Sequence, residues 1–245
     1  MKILLYIVII LAVIVLALYA FWLKLKKGKP GRITGSDVEK KTFDEALVVD
    51  VRWRKEYDRG HARNAINVPL KRLKEKSKIL KPYKDKDIVL YCVVDVTSRA
   101  AEKLLREEGF EKLHIGDGVK QYNYGSPKFK NILLSELKYL INSGFKHTLL
   151  NVGTLELLPT EVKTTPEGVE EVLDKLSKDK TIIVFSNNAE DSIKVAELLG
   201  NKGYKVLNLI EHFDYSKYVK TTYNKKDFEV DPKELEPVSD CGWAP

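Results

Sequence analysis

Hydrophobic and polar positions fall into short blocks along this chain, after one long apolar run at its start. Residues 3–23, ILLYIVIILAVIVLALYAFWL, carry no charge, and about 20 apolar residues span a bilayer core. Beyond a basic Gly/Pro stretch, Gly28 to Gly35, the blocks shorten. Ser36-Asp37-Val38-Glu39 reads as a capping box for a brief helix, and Ala46 to Val51 as a buried strand. Glu56 to Leu70 is irregular, and Lys71 to Lys78 suits a helix. Ile88 to Tyr91 is a second buried strand, and Ser98 to Glu108 a helix with Ala101, Leu104 and Leu105 on its inner side. Lys112 to Ile115 is a third strand. The order then recurs: helix near Ser135 to Asn142, strand Thr148 to Val152, helix Pro166 to Ser177, strand Thr181 to Phe185, helix Ser192 to Asn201, strand Val206 to Leu209. Strands that alternate with helices predict an α/β fold whose parallel sheet is covered on both faces.

The recurrence is visible residue by residue. IVLYCVVDVTSR at 88–99 is followed 94 positions later by IIVFSNNAEDSI, with Ser186 in place of Cys92. Ile88, Ser98, Leu104, Leu105, Gly109, Leu113 and Tyr124 recur as Ile182, Ser192, Leu198, Leu199, Gly203, Leu207 and Tyr218. Apolar and turn positions agree between the copies, so the sequence implies an internal duplication in which one copy has lost its thiol. The expected organisation is an anchor at 1–24, a basic linker at 25–32, units at 33–130 and 131–220, and an aperiodic tail at 221–245.

Charge alters the picture mainly at the N-terminal end. The formal net charge is +7, yet Lys2, Lys24, Lys26, Lys27, Lys29 and Arg32 all lie in the first 32 residues, which hold no acid. The remainder is near neutral, which argues against nucleic acid as a partner. The basic cluster suits anionic lipid, and Tyr19 and Trp22 suit the membrane interface. No small-x-small cleavage pattern separates the apolar run from the basic stretch after it, so an uncleaved anchor is expected. The excess of Lys and Arg after the run predicts a single-pass protein of the cell membrane with its soluble domains on the cytoplasmic side. Cys92 and Cys241, the two cysteines, give no disulfide framework. Neither a cofactor nor a metal is expected.

Several motifs share one resemblance. Asp50-Val51-Arg52, Glu56-Tyr57 and the run Gly60-His61-Ala62-Arg63-Asn64-Ala65-Ile66-Asn67-Val68-Pro69-Leu70 resemble the front half of the rhodanese family. Tyr91-Cys92, the loop after it, Gly109-Phe110 and Gly118-Val119 resemble its active-site half. The likeness is strong over residues 33–130 and fainter over 131–218. It implies two rhodanese-like three-layer domains with parallel central sheets, which the run 3–23 would precede as one transmembrane helix, and a sulfurtransferase activity in which Cys92 carries sulfane sulfur as a persulfide. A thiol at a strand end, facing loop N–H groups and a helix start, sits where anions bind and a thiolate is favoured. The resemblance makes Val93, Val94, Asp95, Val96, Thr97, Ser98 and Arg99 the cradle. A loop of six residues, Cys92 to Thr97, is the sulfur-transferring length; phosphatase relatives use one more. The same resemblance gives Asp50, Arg52 and His61 structural roles, the first two as an ion pair fixing the front loop.

The cradle also departs from the family pattern. Thr97 stands where an arginine is usual, and Asp95 where the family has small residues or glycine. A carboxylate there would raise the thiol pKa. Arg99 is placed to reach back, and Val93, Val94 and Val96 make an apolar mouth that suits a protein persulfide donor or acceptor better than thiosulfate. Asn64 replaces a glycine and tolerates left-handed backbone. Ser186 marks a degenerate second site. Cys241 is either an incidental thiol or a partner for the persulfide. Two function classes stand: a membrane-anchored sulfurtransferase, or a non-catalytic rhodanese-like binding or scaffold module at the membrane surface, with Cys92 an inert buried thiol.

Overall fold

A computed structural model describes residues 12–16, 19, 32–75, 77–154 and 162–211. The first half contains β1 (Arg32–Ile33), α1 (Gly35–Lys40), β2 (Leu47–Asp50), α2 (Arg54–Tyr57), β3 (Ala65–Asn67), α3 (Leu70–Glu75), a 3-10 turn (Ser77–Tyr83), β4 (Ile88–Tyr91), α4 (Val96–Glu107) and β5 (Leu113–Gly116). The second contains β6 (Phe129–Ile132), α5 (Leu134–Asn142), β7 (His147–Asn151), β8 (Val162–Lys163), a 3-10 turn (Val169–Lys175), β9 (Thr181–Phe185), α6 (Ala189–Asn201) and β10 (Lys205–Leu209). Residues 12–16 and 19 are helical and exposed. The rest of the expected anchor and the tail from 221 lie outside the described residues. Among the described residues, no helix is long and apolar enough to cross a membrane.

Among the described residues all strand pairs are parallel, and they join into one ten-stranded sheet of order β1-β5-β4-β2-β3-β6-β10-β9-β7-β8. The first five strands and the last five follow the same path, with β6 standing to β10 as β1 stands to β5. This corrects the expectation of two separate sheets: the edge strand β3 meets β6 at one bridge, Ile66 opposite Asn131. The boundary expected after residue 130 falls inside β6.

Alternation along the strands explains why both faces are covered. Leu47, Val49, Ile88 and Leu90 point into one core with Leu73, Ala101 and Leu105. Their neighbours Val48, Val89 and Tyr91 point into the opposite core with Val38, Tyr57 and Tyr124. Strands buried on both sides need β-branched and apolar residues at successive positions, which is why LVVD and IVLY read as unbroken runs. The second half repeats this with Leu150, Ile182 and Val184 against Leu149, Ile183 and Phe185. Leu133, Ala189 and Ile210 of the second half pack into the first half's core.

Local details also recur. Gly109 and Gly203 end α4 and α6 with φ of +82° and +83°, the left-handed C-terminal conformation that glycine adopts without penalty. Ser98 Oγ donates to the Asp95 carbonyl and Ser192 Oγ to the Ala189 carbonyl, each at 3.0 Å. Asp117 accepts from the Gly35 N–H at 3.0 Å, and Glu211 accepts from the Leu134 N–H. Each carboxylate thereby satisfies a first-turn donor of the helix after the opening strand. The capping side chain of α1 is Thr34, which accepts from Asp37 N–H at 3.2 Å, so the helix starts before the expected Ser36.

Candidate active site

Cys92 follows β4, a central strand whose four residues are all buried. Its cradle is built from the carbonyl side. The Cys92 carbonyl accepts from Val119 N–H at 3.0 Å and the Val93 carbonyl from Lys120 N–H at 3.1 Å. The Gln121 amide donates to the Val94 carbonyl at 3.0 Å. Gly118 is required for this approach, because a Cβ there would lie 2.4 Å from the Val93 oxygen. With these carbonyls engaged, the N–H groups of Val93, Val94, Val96 and Thr97 donate to no backbone acceptor among the described residues. Such a set of unpaired donors at a helix start is an anion-binding nest.

The sulfur already meets the end of that nest. Ser98 N–H points at Cys92 Sγ across 3.4 Å, and the thiol lies 3.5 Å from Ser98 Oγ. The helix begins at Val96 rather than at Ser98, so the last two positions of the six-residue cradle, Val96 and Thr97, belong to its first turn. Val94 and Val96 are exposed, the latter by 77%, and form an apolar mouth. Thr97 is half-buried. Arg99 is exposed and shares the outer face of α4 with Glu102, Lys103 and Arg106, rather than reaching back to the sulfur as the sequence allowed.

Asp95 is the least expected member. Its φ is +147°, a region that side chains seldom occupy, and its carboxylate is not bare. Arg32 Nη1 and Nη2 donate to the two carboxylate oxygens at 2.9 and 2.6 Å. Arg32 Nε also lies 2.5 Å from Asp117. The uncompensated carboxylate expected near the thiol is therefore corrected to one half of an ion pair. Arg32 is likewise corrected from linker to fold: it opens β1, opposite Ile115 of β5. Its place in a flanking basic cluster concealed this role, and a strand of two residues has no periodicity to reveal it.

The front loop behaves as the motif implied. Arg52 binds Asp50 through Nε at 3.0 Å to both oxygens and through Nη2 at 2.6 Å, and Nη2 also donates to the Gly60 carbonyl. His61 is buried away from the sulfur's hydrogen bonds, with its ring stacked 3.6 Å from that of Tyr57. Its Nδ1 lies 2.8 Å from the Tyr57 carbonyl, so Nδ1 carries the proton. Burial lowers its pKa to about 4, keeping the ring neutral near pH 7. Asn64 lies outside the left-handed region. Its amide instead donates to the Val38 and Lys41 carbonyls at 2.8 and 2.5 Å, which corrects the reason for its presence.

The second loop has closed on itself. Ser186 Oγ accepts from Asn188 N–H at 3.1 Å, Asn188 Oδ1 caps Glu190 N–H at 3.0 Å, and Asn187 Oδ1 accepts from Thr154 N–H at 2.9 Å. Side chains of the loop thus take up donors that an anion would need. A groove of about 260 Å³ between the halves, lined by Phe43, Arg63, Asn64, Glu190 and Ile193 among others, includes none of the Cys92 loop. Among the described residues, no group of three or more His, Cys, Asp or Glu side chains is arranged to hold a metal.

Residues 35–129 match the model of the rhodanese-like domain. The chain is 34% identical over 83 residues to the tRNA uridine(34) hydroxylase of Cronobacter sakazakii, across 32% of this chain and 24% of that protein. The chain thus spans about a quarter of the length of the curated relatives it matches. Among solved structures, a rhodanese from E. coli is 31% identical, covers 32% of this chain and 93% of its own, and has a TM-score of 0.29. A rhodanese-related protein from Thermoplasma volcanium is also 31% identical, with 36% and 83% covered and a TM-score of 0.31. The matched segment contains the whole Cys92 loop and the front-loop ion pair, and residues 35–129 form a rhodanese-like domain.

Proposed function

We propose that this chain is a membrane-tethered sulfurtransferase that carries sulfane sulfur as a Cys92 persulfide, with the second half as its structural partner. The observation that carries the reading is the cradle: a strand-end thiol under one directed N–H, beside further loop N–H groups with no backbone acceptor among the described residues. The Cys92 thiolate attacks the sulfane sulfur of a donor R–S–S⁻. A Cys–S–S⁻ bond forms, the donor's S–S bond breaks, and R–S⁻ leaves with the electron pair. The nest then holds the terminal persulfide anion until an acceptor thiolate removes that sulfur. The apolar mouth of Val94 and Val96 favours a protein donor or acceptor. The near-neutral charge beyond residue 32 leaves nucleic acid out of the proposal.

The identical strand path of the two halves supports a duplication, with units near 33–130 and 131–220. The run 3–23 supports the anchor, and Lys24, Lys26, Lys27 and Lys29 after it support a cytoplasmic placement. An alkaline phosphatase fused after Pro245 should stay inactive; strong activity would put the domains outside. Cys92 is only 1% exposed, which favours the second reading, a non-catalytic binding or scaffold module. Intact mass decides between them. The chain incubated with a persulfide donor should gain one sulfur atom, removable by cyanide and absent in Cys92→Ser, while Ser186→Ala should load normally. A folded chain that no small or protein donor can load would leave the binding module.

A further inference from the structure

We propose that Arg32 sets the charge selectivity of Cys92, acting through Asp95, so that donors of different charge reach the thiol at different rates. The proposal rests on the sulfur-transfer reading above only for its biological meaning; the geometry stands apart from it. Asp95 lies three residues from Cys92, and its carbonyl accepts from Ser98 Oγ, which itself lies 3.5 Å from the sulfur. Its carboxylate and the Arg32 guanidinium are each only 11% exposed, so solvent screens them weakly. The two-pronged geometry is the strong form of such a pair. Arg32, Asp95 and Asp117 together carry one net negative charge; without Arg32 they carry two.

The second half offers an internal comparison. Ile132 holds the place of Arg32, opposite Leu209 as Arg32 is opposite Ile115. Ala189 holds the place of Asp95, since Ser192 returns its hydroxyl there as Ser98 does to Asp95. The carboxylate on the helix start persists as Glu211. Both members of the ion pair are absent where the thiol is absent, and the helix cap common to both halves remains. The pair is therefore dispensable for the fold plan and is found where the sulfur is.

The test reads Cys92 alkylation in the full chain, resolved from Cys241 by peptide mass, with anionic iodoacetate and neutral iodoacetamide. The ratio of the two rates reports the local charge whether or not sulfur transfer occurs. Arg32→Ala should lower the iodoacetate-to-iodoacetamide ratio about tenfold, the effect of about 1.4 kcal/mol of added charge repulsion. Arg32→Lys should keep the ratio within about threefold of wild type. Asp95→Asn should raise it, and Arg32→Ala with Asp95→Asn should return it close to wild type, because the net charge is restored. Equal slowing with both reagents, or an unchanged ratio in Asp95→Asn, would overturn the proposal and leave Arg32 a structural brace. Loading of the same variants with small and protein persulfide donors separates the two ideas. An unloaded wild type with the expected alkylation ratios defeats the sulfur-carrier reading alone. Normal loading with indifferent ratios defeats the role of Arg32 alone.

Discussion

His61 shows how a motif residue can hold a site together without touching its chemistry. Its pKa falls to about 4 because burial disfavours the imidazolium, while an unfolded histidine titrates near 6.5. On acidification the unfolded chain takes the proton first. The stability His61 contributes is therefore complete above about pH 6.5 and is lost as pH falls toward 4. At about 1.36 kcal/mol per pKa unit, the loss is roughly 3 kcal/mol, and His61→Gln should flatten that part of the acid denaturation curve. Asp50 and Arg52 behave differently, because each is buried and held by the other. Asp50→Ala strands the guanidinium and should destabilise by about 3–5 kcal/mol in urea unfolding, the usual result of breaking a buried pair. The places that Cys92, Asp50, Arg52 and His61 take in the fold were legible in the sequence because each sits in a spaced motif. Arg32 was not, since its partners Asp95 and Asp117 are far along the chain and only the β1–β5 pairing brings them together.

At the scale of elements, strands with long apolar runs were legible and short ones were not. β9 runs over Thr181–Phe185 as its pattern predicts, and β4 over Ile88–Tyr91. β1 and β3, of two and three residues, lack the length for a pattern to show, and in β6 Lys130 and Asn131 interrupt the apolar run. α4 starts two residues before the expected Ser98 because Val96 and Thr97 look like loop, yet Ser98 closes the turn onto Asp95. The loop and the segment after β5 form one working unit, and Gly118 is the point of closest approach. A methyl group at Gly118 would meet the Val93 carbonyl well inside contact distance, so Gly118→Ala must displace the cradle or the segment after β5. Displacements near 1 Å at a reacting group can cost up to about a hundredfold. Gly118→Ala should slow Cys92 loading at least about tenfold in a single-turnover mass assay, with a much smaller loss of thermal stability. Equal losses in both would show that the contact only braces the fold.

The whole molecule depends on how the two halves join. Periodicity gave the parallel strands of each half, but nothing along the chain marks Ile66 and Asn131 as neighbours, because the junction is a single bridge completed by side chains. The Asn131 amide donates to the Arg63 and Ala65 carbonyls, each at 2.9 Å, and its oxygen accepts from Asn208 at 2.7 Å. Asn131 and Asn208 are nearly or fully buried. These bonds satisfy backbone groups at the edge of β3 that a free sheet edge would leave to water. Apolar packing adds to them, with Leu133, Ala189 and Ile210 lodged in the first half's core. Asn131→Ala removes one partner from several buried groups at once. Leaving a buried donor or acceptor unpaired costs about 1–3 kcal/mol, and here the Arg63 and Ala65 carbonyls lose their partner at the joint while the Asn208 amide loses its own inside the second half. Wild type should therefore unfold in one calorimetric transition, whereas Asn131→Ala should melt earlier and separate into two. A variant that melts earlier but still in one step would mean that the shared apolar core, and not the asparagine network, couples the halves.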